Sequence, residues 1–246
     1  MTKVAVLDDY QKVALEMADW KSLPSGTEVT VFKNHLSDEC DVSKRLAEFE
    51  VVSAMRERTP FPKRLLENLP NLKLLVTTGM RNASIDVPAA SKLGITVCGT
   101  EGLGYPTAEL TWGLIVSLAR KISEENSSSR SGSWQTTLGI GLNGKTLGIL
   151  GLGNLGSQVA RIGNAFGMNV VSWSQNLTKS KAAENEVTLV SFDELMESSD
   201  FLSIHTVLSD RTRNLVGRRE LKLMKPSAFL VNTSRGPIVN EEALVQ

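Results

Sequence analysis

The 246-residue sequence predicts an α/β protein built from two doubly wound parallel sheets, the second of them a dinucleotide-binding domain. Three observations carry that prediction. Short, β-branched apolar runs alternate with helix-spaced segments along the whole chain, the pattern of repeated βαβ units. One Gly/Pro-rich stretch, residues 99–106, interrupts the alternation and divides it into residues 1–99 and 100–246. Finally, Gly151-Leu152-Gly153-Asn154-Leu155-Gly156 lies directly between a strand pattern and a helix pattern, the context a G-x-G-x-x-G needs to bind a pyrophosphate.

In the first half, residues 3–7 form an apolar strand pattern ending in Asp8-Asp9. Residues 11–20 then put Val13, Leu15, Met17, Ala18 and Trp20 near helical spacing and predict a helix. Strands over 28–32, 51–55, 72–76 and 95–98 alternate with helices over 41–49, 62–69 and 86–93. On the first of these helices Val42, Leu46 and Phe49 share one face. After the hinge, residues 107–122 predict a long helix with Leu110, Leu114, Leu118 and Ile122 at four-residue steps. Trp112 and Ile115 widen its apolar face enough for more than one packing partner. Residues 123–132 are polar and serine-rich and predict a surface loop.

The second sheet follows, with strands over 146–150, 169–173, 187–190, 201–205 and 228–232 and helices over 154–166, 192–196 and 218–224. Asn240 caps a last short helix whose first turn holds Glu241 and Glu242, favourable against the helix dipole. A complete dinucleotide fold carries about six strands. The count here stops one short, so the second domain is expected to be incomplete where the sequence ends at Gln246.

Composition narrows the partner. Lys plus Arg and Asp plus Glu number 27 each, and no basic run occurs, so nothing electrostatic points to nucleic acid or an anionic membrane. The apolar run after Met1 is too short for a signal peptide and no stretch approaches a membrane span, so a cytoplasmic address is expected. Cys40 and Cys98 show neither metal-ligand nor disulfide spacing. A small-molecule partner fits best. In the glycine motif, Gly151 allows the tight turn, Gly153 lets backbone approach the pyrophosphate, and Gly156 lets helix and strand pack closely.

In this order, five stretches resemble the D-isomer-specific 2-hydroxyacid dehydrogenases, which include phosphoglycerate dehydrogenase-like and glyoxylate/hydroxypyruvate reductase-like enzymes. They are residues 55–59 (Met-Arg-Glu-Arg-Thr), residues 77–80 (Thr-Thr-Gly-Met) with Ser84-Ile85-Asp86, Ala108-Glu109-Leu110, the glycine turn, and residues 232–236 (Asn-Thr-Ser-Arg-Gly). The resemblance covers nearly the whole chain. It implies a substrate-binding, flavodoxin-like domain over 1–99 and a Rossmann NAD(P)-binding domain over 100–246. It implies hydride transfer between a nicotinamide cofactor and a small 2-oxo or 2-hydroxy acid, and a homodimer. A nicotinamide-gated interaction module without turnover is the alternative the family also contains.

The resemblance assigns candidate roles. Arg235 matches the catalytic arginine, whose planar guanidinium grips a carboxylate and polarises the neighbouring carbonyl. Thr78, Gly79 and Met80 match a backbone nest for the substrate carboxylate, with Thr78 near the cofactor as well. Arg56 and Arg58 match positions that select the substrate tail, with solvated surface arginines as the other reading. Asn154 and Leu155 match pyrophosphate contacts beside Gly151, Gly153 and Gly156. Thr206 matches an adenosine contact, and Thr233 and Ser234 flank the nicotinamide. His205 matches a structural histidine near the cofactor, and His35 is expected to be exposed.

Two departures qualify the match. Ser174, followed by Gln175, stands where an acidic residue would bond the ribose 2′-OH, which removes repulsion against a 2′-phosphate and tilts the choice between NAD and NADP slightly to NADP. Lys179 and Lys181 are candidate phosphate partners. The family's glutamate and its Pro-His pair fall beyond Gln246, so this stretch is expected to be a poor catalyst as written.

Overall fold

A computed structural model describes residues 1–246. The chain divides into two compact units, Met1–Gly102 and Leu103–Gln246. Each is a five-stranded, all-parallel sheet. In the first unit β1 (Thr2–Val6), β2 (Thr27–Val31), β3 (Val51–Ala54), β4 (Leu74–Thr77) and β5 (Thr96–Gly99) lie in the order β2-β1-β3-β4-β5. Parallel pairing requires each connection to cross back over a face, so every strand delivers its C-terminus to the same edge. Helices α1 (Glu39–Leu46), α2 (Lys63–Glu67) and α3 (Val87–Lys92) cover one face. There Val42, Leu46, Leu65 and Ala90 pack with Ala5, Val52 and Leu75 of the strands.

The second unit orders β6 (Thr146–Leu150), β7 (Asn169–Trp173), β8 (Thr188–Leu189), β9 (Phe201–Ile204) and β10 (Phe229–Asn232) as β10-β9-β6-β7-β8. Strand alternation splits its core. Leu147, Ile149 and Phe201 pack with α4 (Pro106–Arg120) and α6 (Asn154–Ala165), while Leu150, Leu202 and Ile204 pack with α8 (Phe192–Ser198) and Val216 before α9 (Arg218–Leu223). The Asn240 side chain caps α10 (Glu241–Val245) by accepting the Ala243 N–H at 2.8 Å. α7 (Lys179–Glu184) is likewise capped, by Thr178.

Three local expectations fail, each for a visible reason. Residues 11–20 form no α-helix. Lys12 takes a left-handed φ of 61°, and the Asp9 carboxylate accepts the N–H groups of Val13 and Ala14, so a side chain replaces the helical ladder. Leu15 and Met17 stay exposed. The serine-rich segment is a helix, α5 (Ile122–Arg130), and not a loop. Glu124 and Glu125 occupy its first turn, Ser127 bonds back to the Ser123 carbonyl, and the Glu125 carboxylate accepts backbone and hydroxyl donors from Thr136 and Thr137. These bonds hold the Glu125 carboxyl below the usual carboxylate range, with the Thr137 hydroxyl contributing most.

The long helix does not continue to residue 122, because Lys121 has φ 54° and ends it. Its leucine stripe also faces outward. Trp112, Ile115 and Ala119 are buried, whereas Leu110, Leu114, Leu118 and Ile122 are 39–58% exposed. The small residues and β-branched Ile115 fit against α6 and the sheet, and Trp112 donates its indole N–H to the Val159 carbonyl at 3.2 Å. Truncating Ile115 to Ala should therefore lower unfolding free energy by roughly 2–5 kcal/mol, read from urea midpoints. A cost below about 1 kcal/mol would mean the other face does the packing.

Candidate functional site

The candidate site of the second unit is the carboxyl edge of its sheet. Strand order reverses between β6 and β9, so the connections leaving these two strands run in opposite directions and open a crevice, the place where doubly wound sheets bind ligands. Residues 151–156 leave β6 there, His205 and Thr206 leave β9, and residues 233–235 leave β10.

The three glycines are required for different reasons. Gly151 has φ 104°, and a Cβ on it would meet the Thr206 nitrogen at 2.8 Å. A Cβ on Gly156 would stand 2.1 Å from the Gly151 carbonyl oxygen. Both positions are closed by the protein itself. At Gly153 a Cβ would meet no atom of the chain within 4 Å. Folding of this chain does not demand glycine there, whereas close approach of a pyrophosphate does. Gly153 is the N-cap of α6 with no side-chain cap, so the N–H groups of Asn154, Leu155 and Gly156 keep their donors for an anion. A dinucleotide pyrophosphate therefore fits this turn.

Around the turn, side chains fix the exits of the other strands. Ser174 Oγ accepts the Leu152 N–H at 3.0 Å and so braces the glycine loop, while Gln175 is exposed beside it. Ser234 donates its hydroxyl to the Thr206 carbonyl at 2.6 Å, and the Thr233 and Thr111 hydroxyls pair at 2.8 Å. Asn232 organises the whole β10 exit, accepting the Ser234 N–H at 3.0 Å and donating to the Arg235 carbonyl at 2.9 Å. Asn232 was not among the candidate site residues. Its signal was an Asx residue at a strand end followed by two hydroxyl residues. Arg235 is half-buried, with Nη1 donating to the Ser234 carbonyl at 3.1 Å.

His205 bonds Ser203 Oγ through Nε2 at 2.8 Å, and its buried Nδ1 has no partner. Burial lowers its pKa to about 4, so the ring is neutral at pH 7.

In the first unit the carboxyl edge carries residues 55–59 and 78–80. Arg56 has φ 53°, its N–H donates to Thr78 Oγ1 at 3.1 Å, and its guanidinium lies where a Cβ on Gly79 would meet it at 2.8 Å. Gly79 itself has φ 93°. The three-amide nest expected at Thr78, Gly79 and Met80 is not formed. Thr78 N–H donates to the Ala54 carbonyl at 3.1 Å, continuing the strand ladder, and Gly79 N–H donates to Thr100 Oγ1 at 3.0 Å. Met80, whose side chain is exposed, is the one of the three whose N–H remains available.

Arg58 is exposed, lies 4.4 Å over the Tyr10 ring, and donates Nη1 to the Asp8 carbonyl at 2.7 Å. Asp8 is a residue that sequence reasoning passed over, although its place at the end of the first strand marks the edge. His35 is exposed, as expected, but its Nδ1 pairs with Asp8 Oδ1 at 3.0 Å.

Comparison with known proteins decides the family. The model for the "D-isomer specific 2-hydroxyacid dehydrogenase, NAD binding domain" matches residues 112–246. The chain belongs to this family. It is 41% identical over 196 residues to the glyoxylate reductase of Thermococcus litoralis, covering 75% of this chain and 59% of that protein. It is 33% identical over 247 residues to the hydroxypyruvate reductase of Thermotoga maritima, covering 99% and 78%. Among solved structures, the phosphoglycerate oxidoreductase from Vibrio cholerae O395 matches with a TM-score of 0.92 and 39% identity, over 99% of this chain and 79% of that one. The chain spans little more than half the length of the first curated relatives, 59% and 57%. No helix is long and apolar enough to cross a membrane.

The buried His205 generates a prediction about pH. Its folded pKa lies below the unfolded value of 6.5, so the stability it contributes is present above pH 6.5 and lost as pH falls toward about 4. Between pH 7 and pH 4, wild type should lose about 3 kcal/mol more unfolding free energy than His205→Gln. Equal losses in urea titrations of the two proteins would refute a neutral buried imidazole.

Proposed function

We propose that the chain forms the substrate- and cofactor-binding parts of an oxidoreductase that moves hydride between a nicotinamide dinucleotide and C2 of a small 2-oxo or 2-hydroxy acid. The observation that carries the proposal is Gly153. No atom of the chain lies within 4 Å of a Cβ placed there, and the open space at the start of α6 suits close approach of a pyrophosphate. Residues 1–99 take the substrate-binding part and residues 100–246 the cofactor part. The interaction-module reading has no observation of its own.

When bound, the nicotinamide supplies the hydride acceptor or donor. The chain's own residues do the rest. The amides of Asn154 and Leu155 hold the pyrophosphate at the start of α6, with Gly151 and Gly156 keeping the turn closed. Thr206, Thr233 and Ser234 line the same edge, with Ser234 tying two strand exits together. Arg235 grips the substrate carboxylate and polarises the adjacent carbonyl, the part a bidentate planar cation performs better than lysine. In the first unit Arg56 and Arg58 are the candidates for selecting the substrate tail, and of the carboxylate candidates Thr78, Gly79 and Met80 it is Met80 whose N–H is available. His205 is committed to Ser203 and His35 to Asp8, and neither is assigned proton transfer.

Ser174 leaves the ribose 2′ position without a carboxylate, so a 2′-phosphate meets no repulsion there. Its hydroxyl is already used by Leu152, which leaves Gln175 and the nearby Lys179 and Lys181 as polar partners. NADP is thus accepted at least as well as NAD. Nicotinamide-fluorescence titration tests both statements. Wild type should bind NADPH no more weakly than NADH, and Gly153→Ala should weaken either cofactor about tenfold or more in a protein that still folds cooperatively. Unchanged affinity in Gly153→Ala, or NADH binding tenfold tighter than NADPH, would overturn the respective claim.

A second copy of the chain is the partner that the outward stripe of α4 fits. Leu110, Leu114 and Leu118 form one apolar row on α4, with Ile122 exposed just past its end, a feature that monomer surfaces seldom leave uncovered. Sedimentation should show a dimer that Leu114→Glu converts to monomer; a monomeric wild type at tens of micromolar would refute it.

A further inference from the structure

We propose that Asp8 is a positioning residue for substrate selection, holding the Arg58 guanidinium in one place from both ends of its side chain. The inference rests on the reading above that Arg58 meets the far end of the acid. It starts from a conformation that needs explaining. Asp8 follows β1 with φ 58°, a left-handed backbone that a non-glycine residue adopts at a cost, and its side chain is 2% exposed. A buried carboxylate is tolerated only when its oxygens are bonded. Here both are. Oδ1 pairs with His35 Nδ1 at 3.0 Å and Oδ2 accepts the Thr59 hydroxyl at 2.7 Å. Buried and with a partner on each oxygen, the side chain is placed to hold its neighbours.

The left-handed turn explains what is held. The Asp8 carbonyl accepts the Tyr10 N–H at 2.9 Å and Arg58 Nη1 at 2.7 Å. The Tyr10 ring, carried by the same turn, lies 4.4 Å from the Arg58 guanidinium carbon. Thr59, next in sequence to Arg58, is buried and tied to the Asp8 carboxylate. Asp8 therefore fastens the tip of Arg58 through its main chain and the base of Arg58 through its side chain. An arginine is flexible, and one fastened at both ends has already lost that freedom before a ligand arrives. Its remaining N–H donors present a fixed fork, the geometry that suits a phosphate or carboxylate tail.

A double-mutant cycle separates positioning from general stability. The full chain is assayed with its nicotinamide cofactor on glyoxylate, which has no tail, on hydroxypyruvate, and on hydroxypyruvate 3-phosphate, and binding of each acid is titrated in parallel. Asp8→Ala should raise KM and Kd for the phosphorylated acid about tenfold, leave kcat within about twofold, and leave glyoxylate unaffected. Arg58→Ala should raise KM and Kd for the phosphorylated acid at least as much, and the double variant should bind that acid no more weakly than Arg58→Ala alone. Thr59→Val, which cuts one tie and leaves the turn in place, should give a smaller rise in the same substrate order, and it carries the cycle should Asp8→Ala not fold. Equal KM increases for all three acids, or losses that multiply in the double variant, would overturn the inference while leaving the proposed function standing. A wild type that neither binds nor reduces any of the acids overturns the functional reading and this inference with it.

Discussion

Helix α6 can begin where it does only because nothing stands between Gly156 and the Gly151 carbonyl, a gap of 2.1 Å to any Cβ. That contact fixes the depth at which the helix enters the sheet. Because Gly151 in turn packs its Cα against the Thr206 backbone, the exits of β6 and β9 are locked to each other. Val159 and Ala160 then fall onto Leu147 and Ile149, and Trp112 finds its acceptor at Val159. A side chain at either glycine would lift the helix and open the core below it. Packing closes the turn at its first and last glycines, and at the middle one no atom of the chain lies within 4 Å of a Cβ position.

Neither sheet leaves its carboxyl edge to backbone alone. Parallel strands end in loops whose peptide groups have no ladder partner, so polar side chains complete them. Ser174 accepts from Leu152, Asn232 closes its own turn, Ser234 reaches Thr206, and in the first unit Thr78 accepts from Arg56 while Asp8 gathers Thr59 and His35. The same residue types, Ser, Thr, Asn and Asp, serve as loop braces and as ligand contacts. That double use explains why Ser174 can be at once the candidate for cofactor choice and a support for the glycine loop.

The strands and their order of appearance were legible because parallel cores are written as short apolar runs, and the glycine turn because its spacing is rare outside such a context. Asn240 was legible as a cap for the same local reason. What could not be read were outcomes that side chains decide at a distance. Residues 11–20 have helical spacing, but Asp9 takes the amides of Val13 and Ala14. Residues 123–132 look like a loop by composition, yet Glu125 recruits four donors from Thr136 and Thr137 and stabilises a helix. The amides of Thr78 and Gly79 suit an anion by type, but Ala54 and Thr100 reach them first. Periodicity also could not tell which apolar face of α4 goes inward, since leucines and the Trp112/Ile115 face were both available.

Charge placement at the two edges follows a common logic. His205 sits in a site dry enough to keep its ring neutral, so it adds no positive charge beside the glycine turn and leaves anion binding there to amides. Fixed amides hold a pyrophosphate without competing for its counterions, and they do not titrate. The guanidiniums lie on other loops, Arg235 after β10 and Arg56 and Arg58 after β3; side chains brace the backbone of Arg235 and Arg56, and the Asp8 carbonyl takes the guanidinium of Arg58. An arginine retains its charge throughout the physiological range, so recognition by these groups depends on where the loops hold them and hardly at all on pH. Position is therefore the variable left open to change, and among the residues that set it are Asn232 on one edge and Asp8 on the other.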